Sequence, residues 1–118
     1  TIINISGNGN IWEEIQEAVT VATPETIIQL PSGTFSIENE LLINTPYLTI
    51  RGMGKNKTIL NFKNQKVGAQ GILAMKDGFT IEDLAIEDTK GDGLKIEKAN
   101  QIIEDLNSSF KIYNTYFK

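Results

Sequence analysis

Residues 71–84 read GILAMKDGFTIEDL, and residues 93–106 read GLKIEKANQIIEDL. Laid over one another, Gly71 meets Gly93, Ile72 meets Leu94 and Lys76 meets Lys98. Ile81-Glu82-Asp83-Leu84 then meets Ile103-Glu104-Asp105-Leu106, a period of 22 residues. An earlier stretch, Leu48-Thr49-Ile50-Arg51-Gly52-Met53, matches Phe79-Thr80-Ile81-Glu82-Asp83-Leu84 at an offset of 31. The nine extra residues fit into Gly54–Lys57 and the loop Lys63–Gln70. Repeats of this length, each holding three short strands and three turns, cannot bury their apolar faces alone, and stacking gives them a shared core.

Outward from the repeat, short apolar runs with polar punctuation mark strands at Thr26–Leu30, Thr34–Ile37, Leu41–Ile43, Tyr47–Ile50, Thr58–Phe62, Gly71–Met75, Phe79–Ile81, Leu84–Ile86 and Gly93–Ile96. Alternate residues of a strand share a face. The expected core is therefore Ile28, Leu30, Ile43, Ile50, Ile59, Ile72, Ile81, Leu84, Ile86, Leu94 and Ile96. Before the strands stands one helix. Asn10 precedes Ile11, Ile15, Ala18, Val19 and Ala22 at helical spacing, with Glu13 three residues after Asn10 in a capping-box-like start. The expected helix spans 11–22, ends at Thr23-Pro24 and covers the N-terminal end of the stack, whose strand edges would otherwise be bare. The predicted fold is an all-β right-handed parallel β-helix (solenoid) of about four to five coils with an N-terminal helical cap. Residues 1–118 make a single domain: strand and cap 1–24, coils 25–106 and an atypical segment 107–118.

The chain has 118 residues and a net charge of −4. It lacks the basic patch that phosphate binding needs, so no nucleic-acid partner is expected. Lys55, Lys57, Lys63 and Lys66 read as a solvated face rather than an anion site. There is no Cys and no His, which removes thiol chemistry, His-based triads and the common zinc sites. No apolar run approaches a membrane span, so no membrane partner is expected.

The order of strand, cap helix, Thr26-Ile27-Ile28-Gln29-Leu30-Pro31-Ser32-Gly33-Thr34-Phe35 and Leu48-Thr49-Ile50-Arg51-Gly52-Met53-Gly54 resembles the start of the pectin-lyase-like β-helix superfamily. The stretch Gly68–Gly93 resembles bacterial parallel β-helix repeat proteins of poorly defined function. The resemblance covers roughly residues 10–106. It implies a secreted or periplasmic module related to carbohydrate-active proteins, binding a polysaccharide or other extended ligand. Its enzyme templates lose key parts in this chain. The outward positions over the expected cleft, Gln29, Leu42, Leu73 and Lys95, contain no acid pair. The only Arg, Arg51, stands at a turn away from that cleft, so the chain as given reads as a non-enzyme. Two alternatives remain. One is a polysaccharide lyase or epimerase fragment whose site needs further coils; the other is a structural assembly unit.

Candidate ligand groups fall on one polar edge: Gln65, Lys66 and Gln70 from the long loop, Asp88 and Asp92 from the next turn, and Lys95. Asp88 and Asp92 are the candidate metal ligands, with calcium as the cation. An EF-hand reading of 88–99 fails, because Lys90 and Ala99 stand where oxygen ligands belong. Gly52-Met53-Gly54-Lys55 fails the phosphate-loop spacing. Glu82-Asp83 and Glu104-Asp105 recur at the coil period and should stack. Gly52, Asp83 and Asp105 share a turn position that favours left-handed backbone. After Leu106 the repeat breaks, and Phe110, Ile112, Tyr113, Tyr116 and Phe117 crowd into eight residues. This tail either folds back as a lid or joins two chains in a homodimer through the C-terminal end. The dimer is the preferred reading, because so short a tail hardly covers a core cross-section.

Overall fold

The computed structural model describes residues 1–97 and 111–118. In chain order the elements are β1 (Ile2–Asn4), α1 (Ile11–Val21), β2 (Ile27–Gln29), β3 (Gly33–Ser36), β4 (Asn39–Ile43), β5 (Thr49–Arg51), β6 (Thr58–Asn61), β7 (Val67–Ala74), β8 (Thr80–Glu87), β9 (Leu94–Ile96) and β10 (Lys111–Phe117).

The strands fall into two parallel sheets. The larger has seven strands in the order β1-β2-β5-β8-β6-β3, with β10 also on β8; the smaller runs β4-β7-β9. Every pairing is parallel.

The all-β solenoid of about four to five coils, with its three strand faces, is not what forms. The molecule is an α/β arrangement of one helix and parallel sheets, the larger curled into a half-barrel. The reason lies in β8. The turn expected after Ile81 does not interrupt the strand. Asp83 bends it at φ +59° and pairing continues on both sides. The first half of β8 pairs with β5, Ile81 opposite Ile50, and the second half pairs with β6, Ile86 opposite Leu60. One bent strand thus welds two faces into a single curved sheet.

The offset of 31 holds where the sequence shows it: Thr49-Ile50-Arg51 lies against Thr80-Ile81-Glu82. The offset of 22 holds for Ile72 against Leu94 and fails at the next strand. Over Ile81 stands Ile112, not Ile103, and over Glu82-Asp83 stand Tyr113 and Asn114. The expected stack of carboxylates is replaced by an amide on an acid, with Asn114 Nδ2 donating to Asp83 Oδ1 at 2.9 Å. Asn114 takes φ +42° above Asp83, and a short polar side chain tolerates that region best. Glu104 and Asp105 lie outside the described residues. Gly52 shares the turn but is not left-handed. It is glycine because a Cβ there would meet the Asp83 carbonyl oxygen and the Thr58 and Leu84 side chains.

The core is a row of isoleucines. Ile3, Ile28, Ile50, Ile81 and Ile112 stand over one another through four successive pairings. Of these Ile28, Ile50 and Ile81 are buried, as are Leu30, Ile43, Ile72, Leu84 and Ile86. Leu94 and Ile96 are partly buried against the core. The inward residue of β6 is Leu60, fully buried, and Ile59 faces outward opposite Ala85. Alternation gave the right period with the wrong phase, because Thr58 rather than Ile59 takes the buried position at the strand start, where its Oγ1 donates to the Pro31 carbonyl.

The helix starts as the cap signals require. Asn10 Oδ1 accepts from the Glu13 amide at 3.0 Å. The acid that reaches back is Glu14, not Glu13: its carboxylate accepts from the Ser6 amide at 2.6 Å, the Ser6 hydroxyl at 2.7 Å and the Gly7 amide at 3.2 Å. These bonds clamp the loop after β1 onto the first turn of α1. Ile11, Ile15, Ala18 and Val19 face the core.

Candidate functional site

Candidate groups gather in two regions: the polar edge around 63–70 and 88–92, and the end of the molecule formed by β9 and β10.

The polar edge does come together. The Gly91 amide donates to the Ala69 carbonyl at 2.7 Å, the Gly71 amide to the Asp92 carbonyl at 2.9 Å, and Lys90 Nζ to the Gln65 carbonyl at 2.6 Å. Its side chains, however, serve the loop itself. Gln65 is only 2% exposed. Its Nε2 donates to the carbonyls of Val67 and Gln70, so the loop is wrapped around it. Lys66 is exposed and lies 3.5 Å from Glu38. Gln70 is half-buried in β7. Asp88 holds a left-handed φ of +59° and its Oδ2 accepts from Asn61 Nδ2 at 2.9 Å, which ties two neighbouring strands at their ends. Asp92 is exposed and lines a cleft on the β9 side. Lys95 is on the outer face of β9, 3.8 Å from Glu97. Among the described residues, no group of three or more Asp or Glu is placed to hold a metal ion. The buried role of Gln65 was not legible from sequence, since a polar residue in a polar loop gives no sign of pointing inward.

The two ends of the molecule differ. At the N-terminal end α1 packs on β2 and β4 and satisfies backbone groups of β4 with side chains. Trp12 Nε1 donates to the Glu40 carbonyl at 2.9 Å. Gln16 Nε2 donates to the Leu42 carbonyl at 3.0 Å, and its Oε1 accepts from the Leu42 amide at 2.7 Å. Thr45 Oγ1 donates to the Val19 carbonyl at the helix end. An edge strand with unpaired backbone groups templates further pairing, and here the helix blocks it.

At the opposite end β10 lies against β8 as a parallel strand. Its apolar side chains remain open: Ile112 is 50% exposed, Tyr113 and Tyr116 are each 51%, and Phe117 is 39%. Between β9 and β10 a cleft of about 310 Å³ is lined by Asp92, Gly93, Leu94, Ile96, Ile112 and Phe117. Phe117 packs over Gly93, where a Cβ would strike its ring. Among the described residues no helix covers this end. Phe110, the fifth residue of the expected contact patch, lies outside the described residues.

No helix among the described residues is long and apolar enough to cross a membrane. No protein-family model matches the chain, and no curated protein matches it. Among solved structures, the chain is similar to ORF18 of Geobacillus virus E2, with a TM-score of 0.65 at 17% identity, covering 82% of this chain and 24% of that one. The chain thus spans 24% of the length of that protein, and the likeness shows the fold alone. Nothing in these comparisons indicates a pectin-lyase-like protein, and the carbohydrate function that this resemblance implied has no support.

Proposed function

We propose that the chain is a structural assembly unit, and that its C-terminal end joins a second copy of the chain. The observation that carries this reading is the contrast between the ends. One is covered over β4 by a helix that satisfies that strand's backbone with Trp12 and Gln16. The other presents a strand, β10, that is at the sheet edge among the described residues, an apolar cleft and four exposed large apolar residues, Ile112, Tyr113, Tyr116 and Phe117. Exposed apolar surface next to an open strand edge favours association. A second copy is the partner that fits both features at once. A two-fold axis lays β10 against β10 of the other copy in antiparallel pairing, which meets open backbone groups with open backbone groups. The same axis brings each copy's apolar strip onto the other's, and self-complementary two-fold contacts are the commonest kind in soluble oligomers.

Light scattering across a concentration series tests it. The expected mass is that of a dimer at high concentration, falling to a monomer on dilution. Tyr113→Asp together with Tyr116→Asp should give a folded monomer at every concentration, because both rings are about half exposed and neither residue is in the buried core. A wild-type chain that stays monomeric at the highest concentration overturns the reading.

A further inference from the structure

The loop between β1 and α1 runs Ser6-Gly7-Asn8-Gly9-Asn10. Asn8 is the only asparagine in the sequence that is followed by glycine. Both Asn8 and Gly9 are exposed. A Cβ placed on Gly9 would meet nothing within 4 Å, so open space surrounds the backbone there. The loop is anchored on each side of this pair, and at the pair only through the Asn8 main-chain amide. Ser6 and Gly7 are held by the Glu14 carboxylate, and Asn10 caps the helix. The Asn8 amide nitrogen of the main chain reaches the Ser6 hydroxyl at 3.3 Å. The Asn8 side chain and the Gly9 main-chain nitrogen take part in no hydrogen bond among the described residues.

We infer that Asn8 is a site of spontaneous deamidation, the preferred one in this chain. The Gly9 main-chain nitrogen attacks Asn8 Cγ. The new N–C bond closes a five-membered succinimide, the Cγ–N bond of the side-chain amide breaks, and ammonia leaves with the proton from the Gly9 amide. Water then opens the ring at either carbonyl. Opening at one gives aspartate, and opening at the other gives isoaspartate, in which the main chain runs through Cβ. The balance is one ammonia lost and one water gained, with no oxidant, metal or cofactor. Glycine at the following position is what makes the attack accessible. It has no Cβ to crowd the ring closure and reaches backbone angles that other residues avoid.

The other asparagines are held back by the residue that follows each in sequence and, for several of the described ones, by hydrogen bonds. Each is followed by a residue with a side chain. Asn61, Asn64 and Asn114 also spend their side-chain amides on Asp88, Ser36 and Asp83, and the Asn10 carbonyl oxygen is taken by the Glu13 amide. The product carries a new carboxylate next in sequence to Gly7, whose amide helps hold the Glu14 carboxylate. Deamidation therefore adds like charge at the clamp that fastens β1 to the helix.

The test is to age the intact chain at mildly alkaline pH, digest samples over time and follow every asparagine by peptide mass. The Gly9→Ala variant and a free peptide spanning residues 5–12 run in parallel. The expected result is that Asn8 converts first, to a mixture of aspartate and isoaspartate, and that Gly9→Ala slows it several-fold. Faster conversion at another asparagine overturns the inference. So does an Asn8 that keeps its amide in the folded chain while the free peptide loses it, because the loop would then hold the pair out of the attacking geometry.

Discussion

Replacing Ile50, Ile81 and Ile112 by alanine, one at a time, probes the isoleucine row from its centre to its edge. Each change removes three carbons. At about 0.8 kcal/mol per buried carbon the transfer term is about 2.4 kcal/mol for a fully buried site. The cavity term then depends on whether neighbours can close in. Ile50 stands between Ile28 and Ile81, all three fully buried. Little can collapse there, so about 4 kcal/mol is expected, towards the upper part of the range for such changes. Ile81 stands between buried Ile50 and half-exposed Ile112 on the edge strand, which can settle inward; about 3 kcal/mol is expected. Ile112 is already 50% exposed, so it has about half the transfer term to lose, about 1 kcal/mol, and leaves no closed cavity. Urea unfolding monitored by circular dichroism in dilute solution gives the three values from the midpoints, provided the slopes stay equal. Equal losses at all three positions, or the largest loss at Ile112, would refute the picture of a row that is closed at its centre and open at β10. A loss at Ile112 that grows with protein concentration would instead report burial of this edge by the second copy.

Three further outcomes follow from single contacts. Asn10→Ala should cost about 1 kcal/mol by removing the side-chain acceptor of the Glu13 amide, measured by chemical denaturation, and Asn10→Asp should restore it. Glu14 is held below its ordinary carboxylate value, first by the hydrogen bond from the Ser6 hydroxyl; burial opposes this next, and the Ser6 and Gly7 amides add to the lowering. Its folded pKa lies below its unfolded one, so the contribution is complete above about pH 4.5 and is lost as the pH falls through the lowered value. Thermal melts between pH 7 and pH 3 should show a shallower acid decline in Glu14→Gln, and an unchanged decline would remove the clamp from the stability of the N-terminal end. Gln65→Ala should cost about 1–3 kcal/mol, because the carbonyls of Val67 and Gln70 lose their donor inside the loop; hydrogen exchange should rise across 65–71 ahead of the rest of the chain.

Sequence alone determined the local elements. An N-cap side chain, acids in the first turn and apolar residues at helical spacing specify a helix from Ile11 to Val21 wherever its inner face is buried. Period-two alternation specifies strands, and the likeness of 48–53 to 79–84 placed Ile50 over Ile81, because matching side chains stack best in a parallel register. Tertiary structure decided how those strands join. Whether a turn breaks a strand or merely bends it depends on what pairs with its far half. At Asp83 the availability of β6 beside Ala85-Ile86-Glu87 kept β8 whole and curled one sheet where separate faces were expected. The 22-residue repeat set Ile103 over Ile81; the backbone placed Ile112 there instead, with Tyr113-Asn114 above Glu82-Asp83. The inward turn of Gln65 and the engagement of Asp88 by Asn61 are likewise set by partners 2 to 27 residues away. Such choices carry no signature in local composition, because a polar group is buried only where the folded backbone, near or far in sequence, supplies its acceptors and donors.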